Sequence, residues 1–322
     1  MTLIAGIDEA GFGPVLGPLV VSTVAFDVPD ALAGEPLWGP LAAVVTRKPS
    51  RRPGTLAIAD SKKLHKRKRA KPLEHLERGV LAMLATRNVR PESLAGLLRA
   101  LSPAGVRQMA SYPWYAEEDL PLPHCITATD VSLAGNALAA AMGEAGVGLA
   151  TMRSEVVMVG EYNRIVTATD NKSITLFDIN SRLLAYLWGR CGEGAARVYC
   201  DRLGGRMRYL SPLQRVFDGC QFKVLDESQA LSAYRIVSGR REMEIHYGVG
   251  FDRERLAAAL ASMLCKYIRE LLMAMLNRYW SRRVEDLLPT AGYYTDGKRF
   301  LRDIAPAAKE LGVDPHILLR CR

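Results

Sequence analysis

Residues 3–8 form a short apolar run that ends on two adjacent acids, Asp8 and Glu9. A turn built from Gly11, Gly13 and Pro14 follows, and residues 17–26 then resume an apolar, β-branched pattern. Such runs, bounded by Gly and Pro, predict two strands able to pair as a hairpin. A loop rich in Pro and Arg covers 47–55, after which Asp60-Ser61-Lys62-Lys63-Leu64 opens a helix to about Thr86. Residues 93–110 continue helically. The stretch 111–123 carries acids and prolines that no regular element would hold, so it is read as loop. Helices are predicted at about 130–145 and 173–189, with strands at 154–159 and 196–201. Two or three further strands fill 221–250, turning at Ser238-Gly239-Arg240. A long helix runs from Arg253 to about Trp280, and a final helix lies around 299–311. Strands first, then helices and strands in alternation, predict a mixed α/β sheet with helices on its faces.

The acids occupy informative places in this pattern. Successive strand side chains point to opposite faces, so Asp8 and Glu9 converge only where the strand ends. The glycines that follow permit the positive backbone dihedrals of a turn packed against a ligand. Asp201 closes the run Ala196-Arg197-Val198-Tyr199-Cys200, and Asp252 closes Tyr247-Gly248-Val249-Gly250-Phe251. Taken singly, each acid reads more readily as a surface or capping residue than as a ligand.

Composition narrows the setting. The chain has 322 residues and a hydrophobic fraction of 49%, enough for a sizeable core without staples. Its cysteines (Cys125, Cys191, Cys200, Cys220, Cys265, Cys321) include no C-x-x-C pair, which argues against a zinc site or disulfide framework and for a reducing compartment. The start of the chain has no basic segment before its apolar run, and no run approaches the roughly 20 residues of a membrane span, so a cytoplasmic location and no membrane partner are expected. The net charge of +9 makes a polyanionic partner plausible. Two basic segments cluster near the acids in sequence: Arg47, Lys48, Arg51 and Arg52, then Lys62, Lys63, Lys66, Arg67, Lys68, Arg69 and Lys71. A solvated helix face would carry the same charges. None of the histidines (His65, His75, His124, His246, His316) forms a metal-ligand pair.

In order along the chain, these motifs resemble the ribonuclease HII family. Gly6-Ile7-Asp8-Glu9-Ala10-Gly11-Phe12-Gly13-Pro14 through Gly17-Pro18-Leu19-Val20-Val21 is similar to its G-I-D-E-A-G-R-G-P…G-P-h-V-h signature, where h is apolar. Asp60-Ser61-Lys62-Lys63-Leu64 matches its D-S-K-K-L, and Val198-Tyr199-Cys200-Asp201 stands where its third acid is expected. Ala261-Ser262-Met263-Leu264-Cys265-Lys266-Tyr267-Ile268-Arg269-Glu270 is similar to its A-S-I-h-A-K-h-x-R-D, and Gly292-Tyr293-Tyr294-Thr295 to its G-Y-G-T.

The resemblance implies a ribonuclease H-like fold, with a five-stranded mixed sheet flanked by helices. Residues 1–83 and 171–285 would form the catalytic core, 84–170 an inserted, mainly helical region outside the sheet, and 286–322 a helical substrate-binding tail. Asp8, Glu9, Asp201 and Asp252 would hold Mg²⁺ or Mn²⁺. Two such ions about 4 Å apart activate water and stabilise the departing oxyanion in phosphodiester hydrolysis, and they take carboxylate oxygens without histidine. Asp252 follows from counting ten positions back from Ser262, with Asp226, Glu227 and Glu270 as the alternatives. Gly11, Phe12, Gly13, Ser61, Lys62, Lys63 and Tyr293 would contact substrate, Tyr293 by stacking. The implied activity is endonucleolytic cleavage, by a monomer, of the RNA strand of RNA/DNA hybrids or at ribonucleotides embedded in duplex DNA. Phe12 replaces the family's arginine in the ribose-sensing turn. A second reading therefore keeps the metals and acts on DNA or structured RNA, and a third keeps only a nucleic-acid clamp.

Overall fold

A computed structural model describes all residues except 51, 53, 67, 68 and 322. Arg51, Arg67 and Lys68 of the basic segments thus lie outside the described residues. The strands are β1 (Thr2–Ala10), β2 (Leu19–Val28), β3 (Val45–Thr46), β4 (Leu56–Ala57), β5 (Gly148–Val157), β6 (Ala195–Asp201), β7 (Gln221–Glu227), β8 (Leu231–Ser238) and β9 (Arg241–Gly248). All but the short β3–β4 pair join one seven-stranded mixed sheet in the order β5-β2-β1-β6-β9-β8-β7. The sheet exceeds the five strands implied by the resemblance and agrees with the strands read from pattern, since 221–250 supplies three, β7 to β9, and β5 forms an edge.

The centre of the sheet positions the acids. β1 runs antiparallel to β2, as expected for the hairpin, but parallel to β6, with Ile7 beside Cys200. β6 runs parallel to β9, with Asp201 beside Gly248. The carboxyl ends of β1, β6 and β9 therefore share one edge of the sheet. In open α/β sheets that edge is where ligands bind.

Each face is covered by helices. The helix Leu256–Ser281 crosses β1 so closely that a Cβ on Gly6 would lie 2.2 Å from the Ala258 nitrogen, so only glycine fits there. On that side the core continues through Leu76, Val80, Leu138, Leu260, Leu264 and Leu271. The opposite face packs Leu19, Val21 and Val198 against Ile179, Leu183 and Leu187 of the helix Lys172–Arg190. That helix starts where Asn171 accepts hydrogen bonds from the Ser173 and Ile174 amides, a side-chain cap that satisfies otherwise orphaned donors.

The region 84–170 is mostly helical, but it does not lie wholly outside the sheet. β5 pairs along its length with β2, and Ser154 meets Ser22 at 2.8 Å. An exposed edge on β2 would leave a row of unpaired backbone groups, and β5 covers it. The region is also pinned by Glu77, fully buried in the helix Glu74–Ala85. Its carboxylate accepts the amides of His124 (2.6 Å), Cys125 (2.5 Å) and Ile126 (3.0 Å) and the Tyr267 hydroxyl (2.6 Å). No helix among the described residues is long and apolar enough to cross a membrane.

Candidate metal centre

Asp8 and Glu9 sit in the last turn of pleat of β1, and Asp201 is the final residue of β6. One carboxylate oxygen from each lies within 4.8 Å of the others. Both acids still pair with β2, but they lie just beyond Ile7, the last residue of β1 paired with β6. Asp8 Oδ1 accepts its neighbour's amide, Glu9 N, at 2.7 Å, and the chain then breaks at Gly11 with φ of 94°. A Cβ at Gly11 would stand 2.6 Å from the Pro18 carbonyl, so the turn requires glycine. Gly13 meets no such limit.

The long helix and the Asp60–Leu64 segment support the cluster from one side. Ser262 hydrogen-bonds the Asp8 carboxylate, and its Oγ also meets Ser61 Oγ at 3.0 Å. Buried Asp60 caps the short helix Ser61–Leu64 by accepting the Lys62 amide at 2.9 Å. This cap presents Lys62 to the acids: its charge lowers the proton affinity of Glu9, Asp201 and Asp252. Lys63 lies beside it, exposed.

Charge is nevertheless poorly matched. Burial, reinforced by Asp201 and Asp252, pushes the Asp8 carboxyl up to about 7 against the Ser262 hydrogen bond. Burial and the charges of Asp8 and Asp201 hold Glu9 well above the usual carboxylate range. Burial also raises Asp201, opposed by backbone hydrogen bonds at Gly250 and Arg202. Crowded carboxylates of this kind fit a bound cation that would relieve their repulsion, and an all-oxygen donor set fits Mg²⁺ or Mn²⁺ over softer ions.

Asp252 stands apart from the three-residue cluster. It lies on the short helix Phe251–Glu254, entered through Gly250 with φ of 86°. Its carboxyl is raised by burial and then by the charges of Asp60 and Asp201, so it borders the cluster electrostatically. The three alternatives lie elsewhere. Asp226 accepts the Ser228 amide at 2.8 Å on the far edge strand, and Glu227 accepts the Tyr234 hydroxyl at 2.5 Å. Glu270 is held by Lys266 at 2.8 Å, with His65 and Arg269 nearby, and the cations keep it below the usual range despite burial. Asp60 is the acid that sequence reading passed over. It was visible as the first residue of the D-S-K-K-L match, but its nearness to Asp252 arises only in three dimensions.

The remaining sequence candidates border the turn. Phe12 is half-buried and packs against the core cluster that contains Ile7 and Leu19. Tyr293, 52% exposed, is the N-cap residue of the helix Tyr294–Glu310, which starts earlier than the pattern predicted. It is brought beside the turn by its neighbour: the Gly292 carbonyl accepts the Val15 amide at 2.7 Å and the Leu16 amide at 3.2 Å.

No family model and no curated protein matches the sequence. Among solved structures, a chain of the PCNA:RNase HII complex from Archaeoglobus fulgidus is 16% identical with a TM-score of 0.45, over 99% of this chain and 94% of that one. Ribonuclease H2 from Pyrococcus horikoshii is 12% identical with a TM-score of 0.44, over 98% and 92%. Bst-RNase HIII, in complex with Mn²⁺, is 14% identical with a TM-score of 0.43, over 99% of this chain and 66% of that one. Across nearly its whole length the chain is similar, at low identity, to ribonucleases HII and HIII.

Proposed function

We propose that the protein is a metal-dependent endonuclease that cleaves the RNA strand of RNA/DNA hybrids, or ribonucleotides embedded in duplex DNA. The observation that carries this reading is the trio Asp8, Glu9 and Asp201, whose oxygens lie within 4.8 Å at the ends of two neighbouring parallel strands. Such burial of unneutralised acids is costly unless a cation joins them.

Asp8, Glu9 and Asp201 would hold a divalent cation, and Asp252 would extend the site toward a second. Bound there, Mg²⁺ or Mn²⁺ supplies a more acidic water and charge compensation at the departing oxyanion. The chain's own groups do the positioning. Ser262 and Ser61 fix the Asp8 carboxylate, Lys62 and Lys63 neutralise an adjoining phosphate, and the Gly11-Phe12-Gly13 turn meets the sugar through its backbone. Tyr293, exposed next to that turn, stacks on a nucleotide within a tail formed by 286–322. In the net reaction a water oxygen joins phosphorus and the bond to the 3′ oxygen breaks, leaving 3′-hydroxyl and 5′-phosphate ends.

The test is a cleavage panel with Mg²⁺ or Mn²⁺ on an RNA/DNA hybrid, a single-ribonucleotide duplex, all-DNA and all-RNA. Cleavage restricted to the first two supports the reading. Cleavage of all-DNA or all-RNA transfers the same metal chemistry to another substrate, and a protein that binds all four and cuts none is a clamp.

A further inference from the structure

Two buried arginines hold the loop 11–18 from beneath, and one of them belongs to none of the sequence motifs. Arg269, from the long helix, donates to the carbonyls of Leu16 (3.3 Å) and Ala291 (3.1 Å). Arg320 comes from the opposite end of the chain and is 3% exposed. Its Nε donates to the Gly17 carbonyl at 2.8 Å, and its Nη1 donates to the carbonyls of Gly11 and Pro14. Backbone contacts join the same two segments: Arg320 N donates to Val15 O at 3.0 Å, and Leu319 pairs with Leu16. Asn163 secures this segment from the other side. Its Nδ2 donates to the carbonyls of His316 (2.9 Å) and Leu319 (2.8 Å), and its Oδ1 accepts the Cys321 amide at 2.7 Å.

Burying a guanidinium is unfavourable without a counter-charge. Among the described residues, the partners of Arg320 are carbonyl oxygens and the face of Tyr162, 4.7 Å away, rather than a carboxylate. Burial and the neighbouring Arg269 charge push its proton affinity down to about 9, so the placement is bought at a cost. The return is geometric. A trans peptide is planar, with C=O and N–H on opposite sides. Drawing the Gly11 carbonyl inward to Arg320 therefore turns the Phe12 N–H outward, away from the guanidinium.

We infer that Arg320, with Asn163 holding its segment in place, is a positioning residue that sets the orientation of the Gly11-Phe12 peptide with which the turn reads the substrate sugar. This rests on the function proposed above. Lysine would supply the charge but not the planar fork that spans separate carbonyls.

The test compares wild type, Arg320→Gln, Arg320→Lys and Asn163→Ala on a single-ribonucleotide duplex and its all-DNA counterpart, with Mn²⁺ affinity measured by calorimetry. Misplacing a binding group by about an ångström costs up to about a hundredfold, so Arg320→Gln and Asn163→Ala should raise KM for the ribonucleotide duplex by about tenfold or more. kcat and Mn²⁺ affinity should stay near wild type, and Arg320→Lys should recover part of the loss. A purely structural role would lower stability without this split between KM and kcat. A folded Arg320→Gln with unchanged KM and unchanged discrimination overturns the inference. Should that variant not fold, an unchanged KM in Asn163→Ala overturns it instead. Failure of the functional reading is separately visible, because wild type would then cleave neither duplex, or cleave the all-DNA duplex as well. Discrimination is in that case read from duplex binding by fluorescence anisotropy, and equal binding of both duplexes by wild type overturns the inference.

Discussion

Replacing Asp8 by Asn should make the metal-free protein more stable at pH 8 while abolishing its stabilisation by Mn²⁺. In the folded chain the Asp8 carboxyl is pushed up from 3.8 to about 7 by burial and by its acidic neighbours. The folded state thus binds a proton that the unfolded state has already released between these two values. Stability contributed by this group is full below the unfolded value and declines as pH rises toward 7. The rise from 3.8 to about 7 corresponds to roughly 4 kcal/mol, and solvent reaching the partly exposed rim trims it to about 2–4 kcal/mol. Glu9 acts in the same direction, since burial and Asp8 also raise it. Urea unfolding in the presence of a chelator, at pH 5 and pH 8, measures the effect. Wild type should lose on the order of 1 M in midpoint between the two, given typical urea slopes. Asp8→Asn should lose distinctly less. Added Mn²⁺ should stabilise wild type more at pH 8 than at pH 5, because binding requires the ionised acids. The reasoning fails if Asp8→Asn keeps the full pH dependence, or if Mn²⁺ leaves the wild-type midpoint unmoved at pH 8.

Asp201→Asn should retain the fold by circular dichroism but lower single-turnover cleavage by at least about a hundredfold to a thousandfold, whereas Asp252→Asn should reduce turnover and still bind Mn²⁺ at the three-residue cluster; retained turnover in Asp201→Asn would remove it from the site. Glu77→Ala strands the amides of His124, Cys125 and Ile126 and the Tyr267 hydroxyl, and should cost about 3–5 kcal/mol in denaturant unfolding without changing Mn²⁺ affinity. Phe12→Arg adds a charged contact at the turn at the expense of half-buried packing, and should tighten binding to a single-ribonucleotide duplex by about 1–2 kcal/mol at low salt, fading as salt rises. A ratio of ribonucleotide to all-DNA cleavage that stays level or worsens in Phe12→Arg would count against a sugar-reading turn.

Much of the candidate site was legible along the chain because it is written in local pattern. Near-continuous apolar runs ending on Asp8, Glu9 and Asp201 mark the ends of buried strands. The requirement for glycine at Gly11 follows from a turn that leaves a strand sharply. The long helix, the β7 to β9 meander and the helix start at Asp60-Ser61-Lys62-Lys63-Leu64 were likewise visible as pattern, although the helix expected to run on to Thr86 stops at Leu64 and a second one starts at Glu74. What periodicity cannot convey is which distant segments meet. Ser61 and Ser262 join behind Asp8 across 201 positions, Glu77 reaches Tyr267 across 190, and Arg320 reaches Gly11 across 309. The pairing of β5 with β2 likewise depends on an edge that exists only once β1 and β2 have paired. Asp252 shows the same limit from the other side: its spacing to Ser262 does not tell which acids it meets, and on a short helix after Gly250 it lies outside the three-residue cluster. Local sequence sets the conformation of each element because backbone sterics and side-chain periodicity act over a few residues. The company each carboxylate or guanidinium keeps is decided by the packing of the long helix on Gly6 and by the order of strands in the sheet, which no single segment encodes.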